Sequence, residues 1–281
     1  MIYLNGDLLP DDQTRINPAD RGFLLGDGVF ETMRSYQGRI FRLDAHLDRL
    51  FAGAEFLGIP VPLMRDELAR GLDDVLEANQ LSNRGASLRL TLTRGPGPRG
   101  LIPPPRPRPT VLITAAPLSQ IHFPPAQAII AKDIRRNEHS PSATIKSLNY
   151  LDNILARRQA EQAGADEALL LNTAGHLAEA STANLFIVHE GTLQTPPISE
   201  GALPGITRSV VLELAAKLGI PTEETSIAAD DLQRAEEAFL TNSIIEIRPL
   251  LQVEGQWLGN GDVGEITRAL HGAYRAAVES G

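Results

Sequence analysis

Apolar residues recur with two different periods in the first part of the chain, and the two periods predict different elements. Alternating leucines in Ala86 to Thr93 predict a strand, because successive side chains of a strand point to opposite faces. A helical apolar stripe predicts a helix that begins after Asp44, as its N-cap, and ends at Gly58. Further predicted elements are strands over Ile2 to Leu4, Gly28 to Tyr36 and Thr110 to Ala115, and a helix over Val61 to Asn79.

The later part of the chain mixes strand hairpins with separated helices. It predicts helices over residues 148–163, 206–218 and 263–278, and strands over residues 128–131, 168–171, 176–179, 185–188 and 238–241. Prolines between Ser119 and Pro125 are typical of a connector. We therefore predict an α+β fold in two lobes: a small N-terminal α/β domain over residues 1–117, a connector over 118–125, and a larger C-terminal domain over 126–281.

Composition and charge exclude several classes of protein. The 281 residues are 42% hydrophobic and carry a formal net charge of -9, with both signs interleaved, so nucleic acid is not an expected partner. No run approaches the ~18 apolar residues of a membrane span, and the start lacks the pattern of a signal peptide, so we predict a cytoplasmic protein. The chain has no cysteine, and its six histidines form no His-x-x-x-His pair, so no metal site is predicted.

Lys146 and Glu179 together suggest a site for a cofactor with an aldehyde and a ring nitrogen. A lysine that forms a Schiff base needs a neutral amine, and a carboxylate beside a pyridine nitrogen keeps that nitrogen protonated. A single lysine or glutamate is most often a solvated surface charge, so the hypothesis depends on the residues around the pair.

Three segments could bind a phosphate. Ile206 and Thr207 begin an apolar-periodic helix, whose first N–H groups and positive dipole end attract anions, although Pro-Gly before them is also ordinary turn chemistry. Thr241 follows an apolar strand, where either a binding hydroxyl or a plain turn is expected. Arg49 lies about 200° around its helix from Leu47, so it meets either solvent or the other lobe.

Two glycine-rich segments have other interpretations. Gly26 to Glu31 leads into a strand rather than a helix, which excludes a dinucleotide-binding loop. The stretch from Thr93 through Pro109 is either a polyproline linker or a functional loop whose arginines hold a substrate carboxylate.

Four motifs, in order, resemble the class IV aminotransferases, the fold-type IV family of pyridoxal-phosphate enzymes. They are Gly26 to Glu31, His46 to Leu50, Ile145 to Asn149 and Leu177 to Phe186, and the likeness extends from Asn5 to Arg268. The family includes branched-chain and D-amino-acid aminotransferases and aminodeoxychorismate lyases. The resemblance implies a homodimer whose active site lies near the subunit interface.

The resemblance also implies a role for individual residues, with pyridoxal 5'-phosphate as the cofactor. It implies that Lys146 forms the Schiff base and moves a proton between the substrate Cα and the cofactor C4′, and that Glu179 contacts the pyridine nitrogen. It further implies phosphate binding by Arg49, by the amides of Ile206 and Thr207 with the Thr207 hydroxyl, and by Thr241.

The substrate residues mix the patterns of the subfamilies. Phe30 and Arg34, with Arg89, are similar to the branched-chain enzymes. Arg99 matches one of the three carboxylate-binding positions of the D-amino-acid enzymes, whereas Phe30 and Leu101 replace the other two. The glycine-rich start of the long loop and the spacing after Lys146 are similar to aminodeoxychorismate lyases.

We therefore expect a transaminase that exchanges an amino group between an amino acid and a 2-oxo acid, with Arg34, Arg89 and Arg99 as candidate carboxylate holders and Phe30 beside them. The alternative is a lyase that eliminates pyruvate from 4-amino-4-deoxychorismate with the same lysine and cofactor. A third hypothesis is a noncatalytic binding protein that keeps the fold.

Overall fold

The computed structural model describes residues 1–118 and 123–280 of the chain. These residues fall into two compact units, of which the first contains residues 1–118 and 145–149, and the second contains residues 123–144 and 150–280. Of the predicted connector over residues 118–125, residues 119–122 lie outside the described part of the chain.

The first unit is built on a six-stranded antiparallel sheet. Its strands follow the order β2-β1-β6-β5-β3-β4, where β1 is Ile2–Leu4, β2 is Asp7–Leu9, β3 is Gly28–Tyr36, β4 is Arg39–Ile40, β5 is Ala86–Thr93 and β6 is Thr110–Pro117. Three helices accompany the sheet: α1 over Arg21–Leu25, α2 over Leu43–Leu57 and α3 over Arg65–Ala78.

Alternation along β3 and β5 gives the first sheet two different faces. Leu88 and Leu90 of β5 and Met33 of β3 belong to the buried core that α2 and α3 complete with leucines at helical spacing. The opposite face carries Phe30 and Arg34 of β3 together with the alternate, mostly polar residues of β5. A slip of one residue would move the apolar side chains of these strands from the core to the polar face, so the register of β3 and β5 is strongly specified.

The second unit is built on a ten-stranded mixed sheet. Its main order is β12-β11-β10-β14-β15-β7-β8-β9-β13, with β16 beside β15. The strands are β7 Ala126–Arg136, β8 Glu167–Asn172, β9 His176–Ala180, β10 Asn184–His189, β11 Thr192–Thr195, β12 Thr222–Glu224, β13 Ile227–Ala228, β14 Glu237–Asn242, β15 Glu246–Val253 and β16 Gln256–Trp257. The helices are α4 over Leu151–Gln162, α5 over Ile206–Leu218 and α6 over Glu265–Ser280.

The described core of the second unit includes two hydrophobic clusters. One cluster combines inward residues of β8, β9, β10, β14 and β15, such as Leu169, Leu185 and Leu240. The other packs Ala156 and Ala160 of α4 against β7 and β8. The small alanines allow the helix to approach the sheet closely, so one face of α4 is fixed on the sheet while several of its larger apolar residues stay exposed.

Some predicted boundaries are wrong for physical reasons. Asp44 is not the N-cap of α2, because that position is held by Arg42 in a left-handed conformation (φ 55°) with no side-chain capping bond. Helix α4 begins at Leu151 rather than Leu148, since Leu148 donates its N–H to Gly28 and extends the edge of β3. Tyr150 is therefore the residue before the helix.

Among the described residues, the helices fall short of the length and apolarity that crossing a membrane requires.

Candidate functional site

The segment around Lys146 is fixed along the start of β3. The N–H of Phe30 donates to the carbonyl of Lys146 at 2.9 Å, and Val29 and Ser147 form an isolated antiparallel bridge. A Cβ on Gly28 would lie 2.5 Å from the Leu92 carbonyl oxygen, so only glycine fits where this segment, β3 and β5 meet. The backbone of Lys146 is thus held in place, and its Nζ lies 4.5 Å from the centroid of the Phe30 ring.

Arg49 is held by a buried carboxylate. Oε1 of Glu31 accepts from Arg49 Nε and Oε2 accepts from Arg49 Nη2, each at 2.7 Å, while His46 Nδ1 lies 2.7 Å from Oε2. The side chain of Glu31 is fully buried and that of Arg49 is 13% exposed. The alternative in which Arg49 faces solvent is therefore wrong, because the buried carboxylate of Glu31 on β3 binds the guanidinium of Arg49 on α2.

Charge and burial act in opposite directions on this cluster. Burial raises the pKa of Glu31, but the charge of Arg49 and the hydrogen bonds from Arg49 and His46 outweigh burial and lower that pKa to about 2. Burial lowers the pKa of His46, and the charges of Arg49 and Lys146 lower it further against the opposing effect of Glu31. Glu31 is therefore a carboxylate at neutral pH, which leaves Arg49 in a rigid orientation.

The predicted substrate residues on β3 and β5 share one face of the first sheet. Thr32 pairs with Arg89 and Arg34 pairs with Ser87 in the antiparallel register, so Phe30, Arg34 and Arg89 lie on the same side. The guanidinium carbon of Arg89 is 3.7 Å from the centroid of the Phe30 ring, on which the amine of Lys146 also lies. Phe30 is thus an aromatic contact shared by two cations.

Arg34 and Arg99 occupy very different surroundings. The side chain of Arg34 is buried (3% exposed for the residue), and its guanidinium carbon lies 4.7 Å from the Tyr36 ring centroid. Arg99 is exposed on the long loop between β5 and β6, away from the strand register that aligns Phe30, Arg34 and Arg89. The first sheet therefore brings Phe30, Arg34 and Arg89 to one face. The fourth predicted substrate residue, Arg99, lies on the loop outside the sheet.

Glu179 has a defined environment in the second unit. It lies on β9, with only 6% of the residue exposed. Its Oε2 accepts from the N–H of Leu203 at 2.9 Å, and its Oε1 lies 3.1 Å from Nε of Arg136 at the end of β7. Both carboxylate oxygens therefore have a donor that fixes their direction.

The start of α5 is fixed from the same strand system. Asn184 Nδ2 donates to the Leu203 carbonyl at 2.9 Å, and a Cβ on Gly205 would lie 2.0 Å from Asn184 Oδ1. Gly205 is the N-cap of α5, and no side chain caps the helix there. The N–H groups of Ile206 and Thr207 belong to this uncapped first turn, where a helix attracts an anion.

Thr241 lies on the same side of the second sheet as this turn. It is directly opposite Asn184 in the β10–β14 register, so the two side chains share a face. Its Oγ1 is buried and has no hydrogen-bond partner among the described residues. A buried hydroxyl without a partner is costly, so it marks a place for an acceptor or donor supplied by a ligand. The second unit therefore brings Ile206, Thr207 and Thr241 toward one face.

Several supporting residues were not identified from the sequence. Glu31, on a predicted strand, and His46, on a predicted helix, lie inside recognised motifs. Their positions in these elements could have indicated a buried cluster of charged groups. Asn184 also lies inside a recognised motif, but Arg136 gave no local signal, because its partner Glu179 is distant in sequence.

Comparison with known sequences identifies relatives along nearly the whole chain. The family model described as amino-transferase class IV matches residues 28–253. A putative branched-chain-amino-acid aminotransferase of Methanocaldococcus jannaschii is 40% identical over 276 residues, covering 98% of this chain and 95% of that protein. The D-alanine aminotransferase of Listeria monocytogenes is 34% identical (96% and 93% covered), and the aminodeoxychorismate lyase of Bacillus subtilis is 32% identical (100% and 95% covered).

Solved structures agree with the sequence relatives. The branched-chain amino acid aminotransferase of Escherichia coli has a TM-score of 0.93 at 29% identity, covering 98% of this chain and 93% of that chain. The branched-chain aminotransferase of the thermophilic archaeon Thermoproteus uzoniensis, solved with norvaline, has a TM-score of 0.91 at 30% identity, covering 99% and 94%. The predicted fold and the predicted enzyme class are confirmed. This chain belongs to the class IV aminotransferases.

Proposed function

We propose that this enzyme uses pyridoxal 5'-phosphate to exchange an amino group between an amino acid and a 2-oxo acid. The observation that carries the proposal is the fixed position of Lys146, whose backbone is hydrogen-bonded to Phe30 and whose amine lies on the Phe30 ring, in a chain of the class IV family. When bound, the cofactor supplies an aldehyde that condenses with amines and a ring that accepts electrons.

The residues present suit the phosphate and ring of this cofactor. The Thr241 hydroxyl is buried without a partner in the described chain, and α5 begins without a side-chain cap. We propose that Thr241, the amides of Ile206 and Thr207 with the Thr207 hydroxyl, and the guanidinium of Arg49 hold the phosphate. Glu179, whose carboxylate is oriented by Arg136 and Leu203, would hold the ring nitrogen.

In the reaction, the amine of Lys146 would bind the cofactor aldehyde and later take the proton from the substrate Cα. The face formed by Phe30, Arg34 and Arg89 would orient the substrate, with the guanidinium groups of Arg34, Arg89 and Arg99 as candidates for its carboxylates. The Phe30 ring lies 4.5 Å from Nζ of Lys146 and would exclude water beside this amine.

The test is a half-reaction. The purified holoenzyme is mixed with one amino acid at a time, L-leucine, L-valine or D-alanine, without a 2-oxo acid, and its visible absorbance is followed. We expect conversion to the pyridoxamine form and release of the matching 2-oxo acid. An unchanged spectrum with all amino acids, together with release of pyruvate from 4-amino-4-deoxychorismate, would instead establish the lyase.

Borohydride reduction and peptide mapping test the role of Lys146. Reduction of the holoenzyme is expected to attach the chromophore to the peptide that contains Lys146. Failure to attach it to any peptide would favour a noncatalytic binding protein. The Lys146→Ala variant is the control, and it should retain no chromophore after reduction.

We also propose that the enzyme acts as a homodimer. Large apolar side chains are exposed on the first unit at Phe23 (75%), Leu101 (82%) and Ile102 (84%), and on α4 at Leu151 and Ile154. Exposed apolar groups of this size are typical of protein interfaces, and a second copy would cover them by symmetry. Light scattering should give about twice the chain mass, and Ile102→Asp should lower that value; a monomeric wild-type enzyme would refute the dimer. The cytoplasmic location stays a prediction.

A further inference from the structure

The long loop between β5 and β6 is anchored at its base. Thr93 and Thr110, the residues at its two ends, both donate their hydroxyl groups to Oδ2 of Asp20, at 3.0 and 2.7 Å. Gly95 has a φ of 80°, and a Cβ there would lie 1.7 Å from the Arg108 carbonyl oxygen. The two arms of the loop therefore pass in close contact, which requires glycine at this position.

The same loop is held near its middle by one buried arginine. Arg21, only 3% exposed, donates from Nη1 to the carbonyl of Gly100 at 2.8 Å and from Nη2 to the carbonyl of Leu101 at 2.9 Å. Its Nε donates to Asp27 at 2.7 Å. Every nitrogen of this guanidinium thus has an acceptor, and two of the three acceptors are main-chain groups of the loop.

Asp27 is in turn fixed from its other side. Arg94 donates from Nε to Oδ2 of Asp27 at 2.8 Å and from Nη2 to Oδ1 at 3.0 Å, and it also donates to the carbonyls of Leu57 and Gly58 at the end of α2. The carboxylate of Asp27 therefore links the loop, through Arg21, to the helix that carries Arg49. None of these residues takes part in the catalytic roles proposed above.

We propose that Arg21, oriented by Asp27, is a positioning residue that fixes the main chain at Gly100 and Leu101 and so fixes where Arg99 presents its guanidinium to a substrate carboxylate. The inference rests on the proposed function, because Arg99 is a proposed carboxylate holder. Its physical basis is conformational entropy. A loop already held in one conformation does not have to be ordered when the substrate binds, so the substrate binds more tightly.

Kinetics of four proteins test the proposal: wild type, Arg21→Lys, Arg99→Ala and the double variant. Lysine keeps the positive charge beside Asp27 but cannot reach two carbonyls and a carboxylate at once. We expect Arg21→Lys to raise KM for the carboxylate substrate about tenfold with little change in kcat, because only substrate binding is weakened. In the Arg99→Ala background the same change should have little further effect on KM, because Arg21 acts through Arg99.

The rate of trypsin cleavage in the loop is a second measurement, and it does not depend on enzyme activity. Within the loop, Arg106 and Arg108 each precede proline, which blocks cleavage, and Arg94 is buried with only 6% of the residue exposed. The bond between exposed Arg99 and Gly100 is therefore the sensitive one. Arg21 holds the two carbonyls that follow Arg99. Arg21→Lys should therefore speed cleavage after Arg99 severalfold in the folded holoenzyme.

Controls separate the different ways in which the proposal could fail. Arg65→Lys, which alters an exposed ion pair with Asp48, should leave KM and cleavage as in the wild type. Unchanged cleavage in Arg21→Lys, or KM effects that simply add in the double variant, would overturn the proposal. If Arg99→Ala leaves KM unchanged while amino transfer continues, the positioning role is refuted and the proposed function stands. If the wild-type enzyme transfers no amino group, the proposed function fails, whereas the trypsin result still decides whether Arg21 fixes the loop.

Discussion

Glu31 and Arg49 form a two-point ion pair, with both contacts at 2.7 Å, although the carboxylate lies on the core side of β3. Burying a charge is costly unless it is paired and hydrogen-bonded, and here Arg49 and His46 together satisfy both oxygens. The arrangement fixes the direction of the arginine fork before any ligand binds. The phosphate contact proposed for Arg49 would therefore start from an orientation that is already fixed.

We predict that Glu31→Gln weakens cofactor binding by about tenfold, because a neutral amide cannot hold the guanidinium at two points by charge. The measurement is the dissociation constant of pyridoxal 5'-phosphate by fluorescence titration of the apoenzyme, at a temperature where circular dichroism shows both proteins folded. Asp48→Asn, on the exposed side of α2, is the matched control and should not change the constant. An unchanged constant in Glu31→Gln would refute the role of Glu31.

Acid stability should depend on the same carboxylate. The folded pKa of Glu31 is lowered from 4.5 to about 2, so its contribution to stability is fully present above about pH 4.5 and is lost as pH falls toward 2. The free energy of unfolding should therefore fall more steeply between pH 4.5 and 2 in the wild type than in Glu31→Gln. Urea titrations across this range measure the slopes, and equal slopes would show that Glu31 is not ionised with a lowered pKa.

Thr241 should affect ligand binding and stability in different ways. Its Oγ1 is buried without a partner among the described residues, so Thr241→Val should leave the apoenzyme as stable as the wild type, or more stable by up to about 1 kcal/mol. The same change should weaken cofactor binding by about tenfold, since a phosphate contact is lost. Thermal unfolding of the apoenzyme and cofactor titration measure the two effects. Lower apoenzyme stability would show that the hydroxyl already has a structural partner.

Gly205 and Gly272 offer a matched pair of glycine substitutions. A Cβ at Gly205 would lie 2.0 Å from Oδ1 of the buried Asn184, so Gly205→Ala should displace that side chain, break its hydrogen bond to the Leu203 carbonyl and destabilise the protein by about 1 kcal/mol or more. Gly272 lies within α6 with nothing within 4 Å of its added Cβ, and Gly272→Ala should stabilise the protein by about 0.5–1 kcal/mol. Urea unfolding compares them, and similar effects at both sites would refute the close contact.

The periodic elements of the fold could be predicted from the sequence, because their signals are local. Strand β3 and helix α5 match the predicted bounds, and glycines end α2 and α5 where the apolar stripe stops. Strand β15 was missed, since Pro249 is unusual in a strand and Glu246 has a left-handed φ of 59°. Its neighbours β7 and β14 supply the pairing that overrides this local preference.

The sequence also indicates the residues proposed to meet the cofactor, and these roles stay predictions, whereas several residues that hold them in place left no signal. Lys146, Glu179 and Thr207 stand in recognisable motifs, and the structure gives each a fixed environment. Arg21 contacts a loop about 80 positions later in the chain, and Arg136 of β7 contacts Glu179 of β9, with β8 between the two strands. Contacts over such distances are set by the tertiary fold and leave no pattern in the nearby sequence.

Arg136 and Glu179 should show strong coupling in stability. Arg136 Nε lies 3.1 Å from Oε1 of Glu179, and the arginine also donates to the carbonyls of Gly201 and Ala143. Arg136→Met would leave a largely buried carboxylate without its charged partner, so we predict a loss of about 2–3 kcal/mol from the apoenzyme. In a Glu179→Gln background the charge is gone, and Arg136→Met should cost at least about 1 kcal/mol less. Urea unfolding of the four apoproteins measures this coupling. Costs that are equal in both backgrounds would mean that Arg136 stabilises the protein only through the two carbonyls and does not orient the carboxylate of Glu179.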